Sequence, residues 1–326
     1  MVAPLEFMLL LSVAVGGGEP DAEATRRLER RVVAISAAEP LVGRGEAIED
    51  ELKALRLMPQ RRTFQSAGGE GANLLAEVPP AANGTPVRTL MVGAHLDRVE
   101  AGTGAVDNAA GCAAVLELLG RFQAKPLKHH RVVGLWFDQE EQGLLGSRAF
   151  AEAVGEPDTE GAAATFPDLF VNIDVFAYGD TLWVHHPDET DRAAAEKFVA
   201  GTADRGERAE PFPAVVGAVY PPSDHRSFAA RRRGAEPGSA AAKMTVLSLS
   251  LLPKEQILET VTFLEAMEGG ARPARAGLPK VLALIHTAND TPSAVQPADA
   301  VAGIDAVEAG LRALDAAAGG DTDAPE

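Results

Sequence analysis

The sequence predicts a single α/β domain, built on a central mixed, mostly parallel β-sheet with helices packed on both faces. Three observations carry this reading. Apolar segments of strand length alternate with amphipathic segments of helix length along most of the chain. Several strand segments, such as Thr89–Ala94 (TLMVGA) and Arg131–Phe137 (RVVGLWF), are almost continuously apolar, as strands covered on both faces are. The chain has 326 residues and 46% apolar content, enough for one large core.

Each element has its own warrant. From Ala22 to about Leu57 two helices are expected: Leu28, Val32, Val33 and Ile35 recur at helical spacing among arginines, and Pro40 and Gly43 break the pattern. Short strands follow at Arg62–Gln65 and Asn73–Val78, with turn chemistry at Pro79-Pro80 and Asn83-Gly84. Strand Thr89–Ala94 runs into His95-Leu96-Asp97, and helix Ala109–Phe122 follows a glycine-rich loop. Strand Arg131–Phe137 runs into Asp138-Gln139-Glu140-Glu141. The alternation continues through helix Leu144–Ala153, strands Leu169–Val175 and Thr181–His185, helix Thr190–Ala200, strand Thr245–Leu251 and helix Lys254–Met267. A strand at Lys280–Ile285 and a helix over Ala298–Ala316 complete the domain, which spans residues 21–316. The tail from Ala317 to Glu326, polar and rich in Gly and Asp, reads as disordered.

Composition excludes several functions. With 47 acidic against 30 basic residues the formal charge is −17, and the one arginine run, Arg231-Arg232-Arg233, is too short for a phosphate-binding face. Nucleic acid is therefore excluded as a partner. The single cysteine, Cys112, rules out an intrachain disulfide framework and any CxxC site, and reads as a small buried hydrophobe. There is no HExxH, GxSxG or GxxxxGK[ST], so thermolysin-like, serine-hydrolase and P-loop chemistry have no support. The apolar run Phe7–Val15 has signal-peptide length and is too short to span a bilayer, so no stable membrane insertion is expected. It predicts a signal or N-terminal segment over residues 1–20 and a secreted or periplasmic protein. Glu6 and the lack of a basic residue before the run argue for the alternative, a short packed element in a cytoplasmic protein.

The chemistry gathers where the strands end. In open α/β sheets functional groups collect at the carboxyl ends of strands. Three such ends carry His95 and Asp97; Asp138, Glu140 and Glu141; and Asn172 and Asp174, with Asp107-Asn108 in a following loop and His286 after Ile285. Several carboxylates converging without a cation would be costly, so the pattern points to a metal site. Histidine and carboxylate without thiolate suit zinc, with Co²⁺ or Mn²⁺ as substitutes. Two histidines with three or more carboxylates exceed one tetrahedral ion and fit a dinuclear hydrolytic centre.

The segments GAHLD (93–97), GAVDNAAG (104–111), DQEEQGLLGS (138–147), NID (172–174), SDHRSF (223–228) and HTANDT (286–291) occur in that order. Together they resemble the di-zinc exopeptidase family of secreted bacterial leucine aminopeptidases, aminopeptidase Y and plasma glutamate carboxypeptidase. The resemblance runs from about residue 25 to residue 300. It implies the zinc-exopeptidase fold and an aminopeptidase acting on peptide substrates. His95 and Asp174 would hold one zinc, Glu141 and His286 the other, and Asp107 would bridge them. Glu140 would be general base and acid, and Asp97 would orient His95 through a hydrogen bond. Tyr220, three residues before Ser223-Asp224-His225, would stabilise the oxyanion. The Asp107–Asn108 peptide bond is expected to be cis. Ile285 stands where many relatives have an aromatic, and the segment over 231–278 is longer than in many of them, which leaves the pocket shape open.

Bland readings stand beside these. His129-His130 read as surface residues, His185-His186 as surface residues or, alternatively, the edge of a pocket, His225 as a structural residue of its loop, and Glu117–Arg121 as helix-surface spacing. Asp290 reads as a support for the last ligand loop. Two rival functions share the fold: a single-zinc glutaminyl cyclase, against which the intact Asp107-Asn108-Ala109-Ala110-Gly111 argues, and a metal-free binding domain. Side-chain preference and oligomeric state are left open by the sequence.

Overall fold

The computed structural model describes residues 10–11, 21–38, 42–79, 88–155, 165–176, 178–203, 210–270 and 277–320. The expected N-terminal segment, apart from Leu10–Leu11, and the expected tail beyond Gly320 lie outside the described residues.

In chain order the strands are β1 (Leu10–Leu11), β2 (Gln60–Ser66), β3 (Gly69–Val78), β4 (Arg88–His95), β5 (His130–Phe137), β6 (Leu169–Ile173), β7 (Thr181–His185), β8 (Ala214–Gly217) and β9 (Thr245–Leu252). The helices are α1 (Ala22–Ala37), α2 (Val42–Ala54), α3 (Ala110–Ala124), α4 (Leu145–Ala153), α5 (Arg192–Gly201), α6 (His225–Arg233), α7 (Ala240–Lys243), α8 (Lys254–Glu268), α9 (Lys280–Leu284) and α10 (Pro297–Gly320). All strands join one sheet in the order β1-β8-β7-β9-β6-β4-β5-β3-β2. Its centre, β9-β6-β4-β5, is parallel, β7 and β8 are parallel to each other, and the remaining ladders are antiparallel.

Residues alternate between two cores, as the pleat requires. Leu90, Val92 and Ala94 of β4, Val171 and Ile173 of β6 and Leu247, Leu249 and Leu251 of β9 pack in one cluster with α1, α3, α5 and α10. Met91, Phe170 and Val246 face the other way, into a cluster with Phe137, Phe150 of α4 and Phe228 of α6. There Phe170 and Phe228 stack with ring centroids 3.6 Å apart. Both faces of the central strands are thereby covered, which explains their unbroken apolar sequence. Among the described residues no helix is long and apolar enough to cross a membrane.

The sequence reading needs three corrections. Lys280–Ile285 is not a strand: residues 280–284 form α9, which starts just after Pro279 and buries Val281 alone. A short apolar run cannot by itself distinguish a strand from a helical turn, and the proline at the start favours the helix. Residues 317–320 belong to α10, with Ala318 buried, so disorder does not begin at Ala317. Strand β8 and helices α6 and α7, short segments without a clear period, were not anticipated.

Strand β4 sits where the chain order reverses: β5 follows on one side of it and β6 on the other. Crevices of open α/β sheets form outside the carboxyl ends of strands at such a switch point. His95 closes β4, Asp138 to Glu141 follow β5, and Asp174 follows β6.

Candidate metal centre

His95 is the hub of the site and is 1% exposed. Its Nε2 lies 2.9 Å from Asp107 Oδ1 and 3.4 Å from Asp174 Oδ1. On the far side, His286 Nε2 lies 3.1 Å from Asp107 Oδ2 and 3.0 Å from Glu141 Oε2. The two oxygens of Asp107 thus face two histidines from opposite ends of the chain. Potential ligand atoms of His95, Asp107 and Asp174 all fall within 4.8 Å of one another, as do those of Asp107, Glu141 and His286. A third set within the same limit, His95, Glu140 and Glu141, puts Glu140 against the first.

Local backbone explains how each ligand is presented. Asp107 sits in an irregular turn, residues 105–109, between β4 and α3. Gly104 opens the turn at φ 57°; an added Cβ there would lie 2.7 Å from the Asp107 carbonyl and 2.8 Å from Arg44 Nη1. The Asp107–Asn108 peptide is cis. Asn108 donates from Nδ2 to the Ile173 carbonyl at 2.8 Å, which joins this turn to the end of β6. Gln139, Val175 and His286, each a site residue or next to one, adopt positive φ (57°, 52° and 59°). Such geometry is unfavourable for a β-branched residue like Val175 and persists where surrounding structure imposes it.

Asp97 is 3.4 Å from His95 Nδ1, without forming a hydrogen bond to it. Its oxygens accept instead from the amides of Glu140 (3.0 Å) and Glu141 (3.1 Å). It therefore anchors the acidic loop as much as the imidazole. Asp290 accepts from the amides of Val106 and Asp107, as expected of a loop support. Asp138 takes the Ala72 amide, and Asn172 donates to Ser223 and Ser248, so neither is in the ligand set.

Tyr220 is buried and its hydroxyl lies 2.5 Å from Ser250 Oγ. Ser250 in turn donates to the Asp174 carbonyl at 2.5 Å, so the tyrosine proton is directed at Ser250. Burial and the Asp174 charge raise the Tyr220 pKa.

The electrostatics describe a cage short of positive charge. Burial, with Asp224, Asp174 and Asp107 nearby, pushes the Glu140 carboxyl up to about 10, although His95 pulls it down. Hydrogen bonds to Asp107 and Glu141 raise His286 to about 10. Burial opposes a charge on His95, yet Glu140, Asp107 and Asp174 hold its pKa well above the usual value. Glu141 Oε1 and Asp174 Oδ1 are buried without a hydrogen-bond partner. Unpartnered buried carboxylate oxygens are costly, and coordination is the interaction that would satisfy them. The donor set, two imidazoles and carboxylates without thiolate, fits zinc.

Several bland readings are overturned. His185 and His186 are 4% and 5% exposed, not surface residues; the His185 ring stacks on Tyr220 at 5.0 Å. His130 is buried, its Nδ1 2.8 Å from Asp315 of α10. Glu117 is buried beneath α1, where Arg27 (2.5 Å) and Arg31 (2.7 Å) join Arg121 on it. Apart from Arg121, these partners are far away in sequence, so local spacing gave no sign of them. Cys112 is buried as expected.

Two participants escaped the sequence reading. Arg44, fully buried, donates from Nη2 to the Gly104 carbonyl at 3.1 Å. Asp224, fully buried with neither carboxylate oxygen hydrogen-bonded, is raised to about 7 by burial. The Ser-Asp-His motif pointed to Asp224; nothing in the local sequence around Arg44 marked it.

The sequence profile of "Peptidase family M28" matches residues 73–309, well over half of the chain. Leupeptin-inactivating enzyme 1 of Streptomyces exfoliatus is 40% identical over 106 residues, 32% of this chain and 23% of that protein. An aminopeptidase of Pseudomonas aeruginosa is 41% identical over 83 residues, 26% of this chain and 15% of that one. The chain thus spans less than a quarter of the length of either relative. Among solved structures, a Zn-dependent exopeptidase from Parabacteroides distasonis superposes with TM-score 0.60 at 15% identity, covering 89% of this chain and 98% of that chain. A glutaminyl cyclase from Porphyromonas gingivalis superposes with TM-score 0.58 at 14% identity, covering 90% and 98%. The fold is common to both chemistries, so the choice between them rests on the site.

Proposed function

The chain belongs to peptidase family M28, and we propose on that premise that it is a zinc-dependent aminopeptidase holding two ions. The observation that carries the proposal is the pair of ligand sets that share Asp107, with Glu140 beside them. His95 and Asp174 would hold one ion, Glu141 and His286 the other, and Asp107 both. When bound, such ions acidify a water and polarise a carbonyl.

The chain's own residues do the rest. Glu140, adjacent to a ligand, would take a proton from the attacking water and return it to the departing amine, its carboxyl being ionised once bound cations offset the neighbouring carboxylates that otherwise hold its pKa up. Asp97 fixes the Glu140 and Glu141 backbone so that both carboxylates stay at the mouth of the site. Tyr220 supplies a hydrogen-bond donor to the oxyanion once its hydroxyl turns from Ser250. The apolar run Phe7–Val15 has signal-peptide length, which supports a secreted or periplasmic location, whereas the pairing of Leu10–Leu11 with β8 in the sheet supports the packed-element alternative.

The test is metal content measured alongside hydrolysis of aminoacyl-nitroanilides, the same compounds N-acetylated, and a peptide with N-terminal glutamine. About two zinc per chain and cleavage of free-amine substrates only are expected. Cleavage of the acetylated compounds would remove the aminopeptidase assignment. One zinc with cyclisation of the glutamine peptide and no hydrolysis would replace it with the cyclase.

A further inference from the structure

Resting on the peptidase reading above, we propose that a basic cavity beside the metal centre receives a carboxylate of the substrate, bound by Arg148 and Arg226. The substrate class so defined is short peptides with a carboxylate close to the scissile bond, either an acidic side chain or the free C-terminus of a di- or tripeptide.

The cavity, about 980 Å³, lies between α4, α6, the end of β7 and residues 218–220. A space of that size accommodates two or three residues. It adjoins the centre on two sides without containing it. Leu144 lines one wall, and its amide donates to the Glu140 carbonyl at 2.8 Å. Tyr220 lines another and reaches Asp174 through Ser250. His95, Asp107, Glu141, Asp174 and His286 are not among the lining residues. In this proposal a peptide seated with its scissile bond at the centre extends into this space.

Its charge runs against that of the molecule. Arg148, Arg226, Arg231 and Arg233 line it, opposed by Glu152 and Glu268 of the lining and by Asp188 on Arg233, a local excess of one positive charge on a chain of net −17. Two of the arginines are already engaged: Arg233 pairs with Asp188 at 3.1 Å, and Arg231 lies over the Phe166 ring at 5.2 Å. Arg148 and Arg226 are exposed, and neither is paired with a carboxylate among the described residues. Arg148 makes only a 3.3 Å contact with the Gly143 carbonyl. Arg226 follows His225 at the start of α6 and lines the cavity together with His185 and His225. Those two imidazoles are buried, burial holds both pKa values down, and with Tyr220 they form a wall that itself carries no carboxylate. A guanidinium with free donors beside such a wall, on an otherwise acidic surface, selects a carboxylate by field and by paired hydrogen bonds.

The experiment titrates the zinc-loaded Glu140→Gln chain calorimetrically with leucyl-glycinamide, leucyl-glycine and glutamyl-glycinamide, and measures kcat/KM of the unsubstituted chain on the same three. One or both carboxylate peptides should bind at least about tenfold more tightly than the neutral amide, and which of them does identifies the source of the carboxylate. Adding Arg148→Gln with Arg226→Gln should bring the affinities to within about twofold, whereas Arg30→Gln on the exposed side of α1 should leave the preference intact. Equal affinities, or a preference that survives the double substitution, would overturn the proposal. Arginine-dependent preference without hydrolysis of any peptide retains the cavity and removes the peptidase reading; hydrolysis without preference does the reverse.

Discussion

The Asp290 carboxylate accepts the Asp107 amide at 3.2 Å, so the residue proposed to bridge two ions is held by the loop that carries His286. The same carboxylate takes the Val106 amide at 2.7 Å, and the Asp290 carbonyl takes the Thr103 amide at 2.8 Å. Two loops almost 200 residues apart are thereby one unit. Removing the carboxylate leaves buried amides unpaired, each at a cost of about 1–3 kcal/mol. Asp290→Ala should lower the unfolding midpoint and weaken zinc retention together. Zinc titrations against a competing chelator check this, and unchanged zinc affinity in a destabilised variant would show that the two loops are not coupled.

Glu140 is the sharpest test of the acid–base assignment because its neighbour carries a different role. Glu140→Gln keeps the shape and removes the proton carrier, so kcat should fall by about 10²–10⁴ while zinc content stays at the level of the parent. Glu141→Gln should instead reduce zinc content, since its Oε2 faces His286 at 3.0 Å. Elemental analysis of both purified variants separates the roles. Loss of zinc from the Glu140 variant would make it a ligand and leave the base unidentified.

Much of this arrangement was legible in the sequence, for a physical reason. Strands β4, β5 and β6 are covered on both faces, so they read as apolar runs, and a polar residue at the end of such a run stands at the rim of the sheet. His95, Glu140, Glu141 and Asp174 were visible in that way. What remained hidden depends on contacts between distant segments. The spacing of Glu117 and Arg121 is the same on an exposed and on a buried helix face, and only the arrival of α1 with Arg27 and Arg31 decides the matter. His130 is buried because Asp315, 185 residues later, comes to meet it. Residues 280–284 were misread because five residues are too few to display a period, and the feature that settles them is Pro279.

The Tyr220–Ser250–Asp174 chain predicts a separable effect at each hydroxyl. Tyr220→Phe removes the proposed donor to the oxyanion and should reduce kcat by about 10²–10³ with little change in KM. Ser250→Ala frees the tyrosine proton while leaving the Asp174 carbonyl without its 2.5 Å donor. Its kcat should therefore fall far less than that of the tyrosine variant. Steady-state kinetics on one nitroanilide substrate compares them. Full activity in Tyr220→Phe would confine that residue to packing beneath His185.

The buried His185 makes acid stability a measurable property of the fold. Burial lowers its pKa from 6.5 to about 4, with Arg226 and His186 acting in the same direction and the Gly217 carbonyl against it. The unfolded chain therefore binds this proton at a higher pH than the folded one. Stability is complete above about pH 6.5 and declines as pH falls towards 4, where the loss from this group reaches on the order of 3 kcal/mol. Below pH 4 both states carry the proton and the slope from this residue ends. His185→Gln cannot titrate, so urea unfolding followed from pH 7 to pH 4 should be flatter in the variant than in the parent. Parallel curves would mean that His185 is protonated at its ordinary pKa in the folded chain, and that the wall beside Tyr220 is open to water.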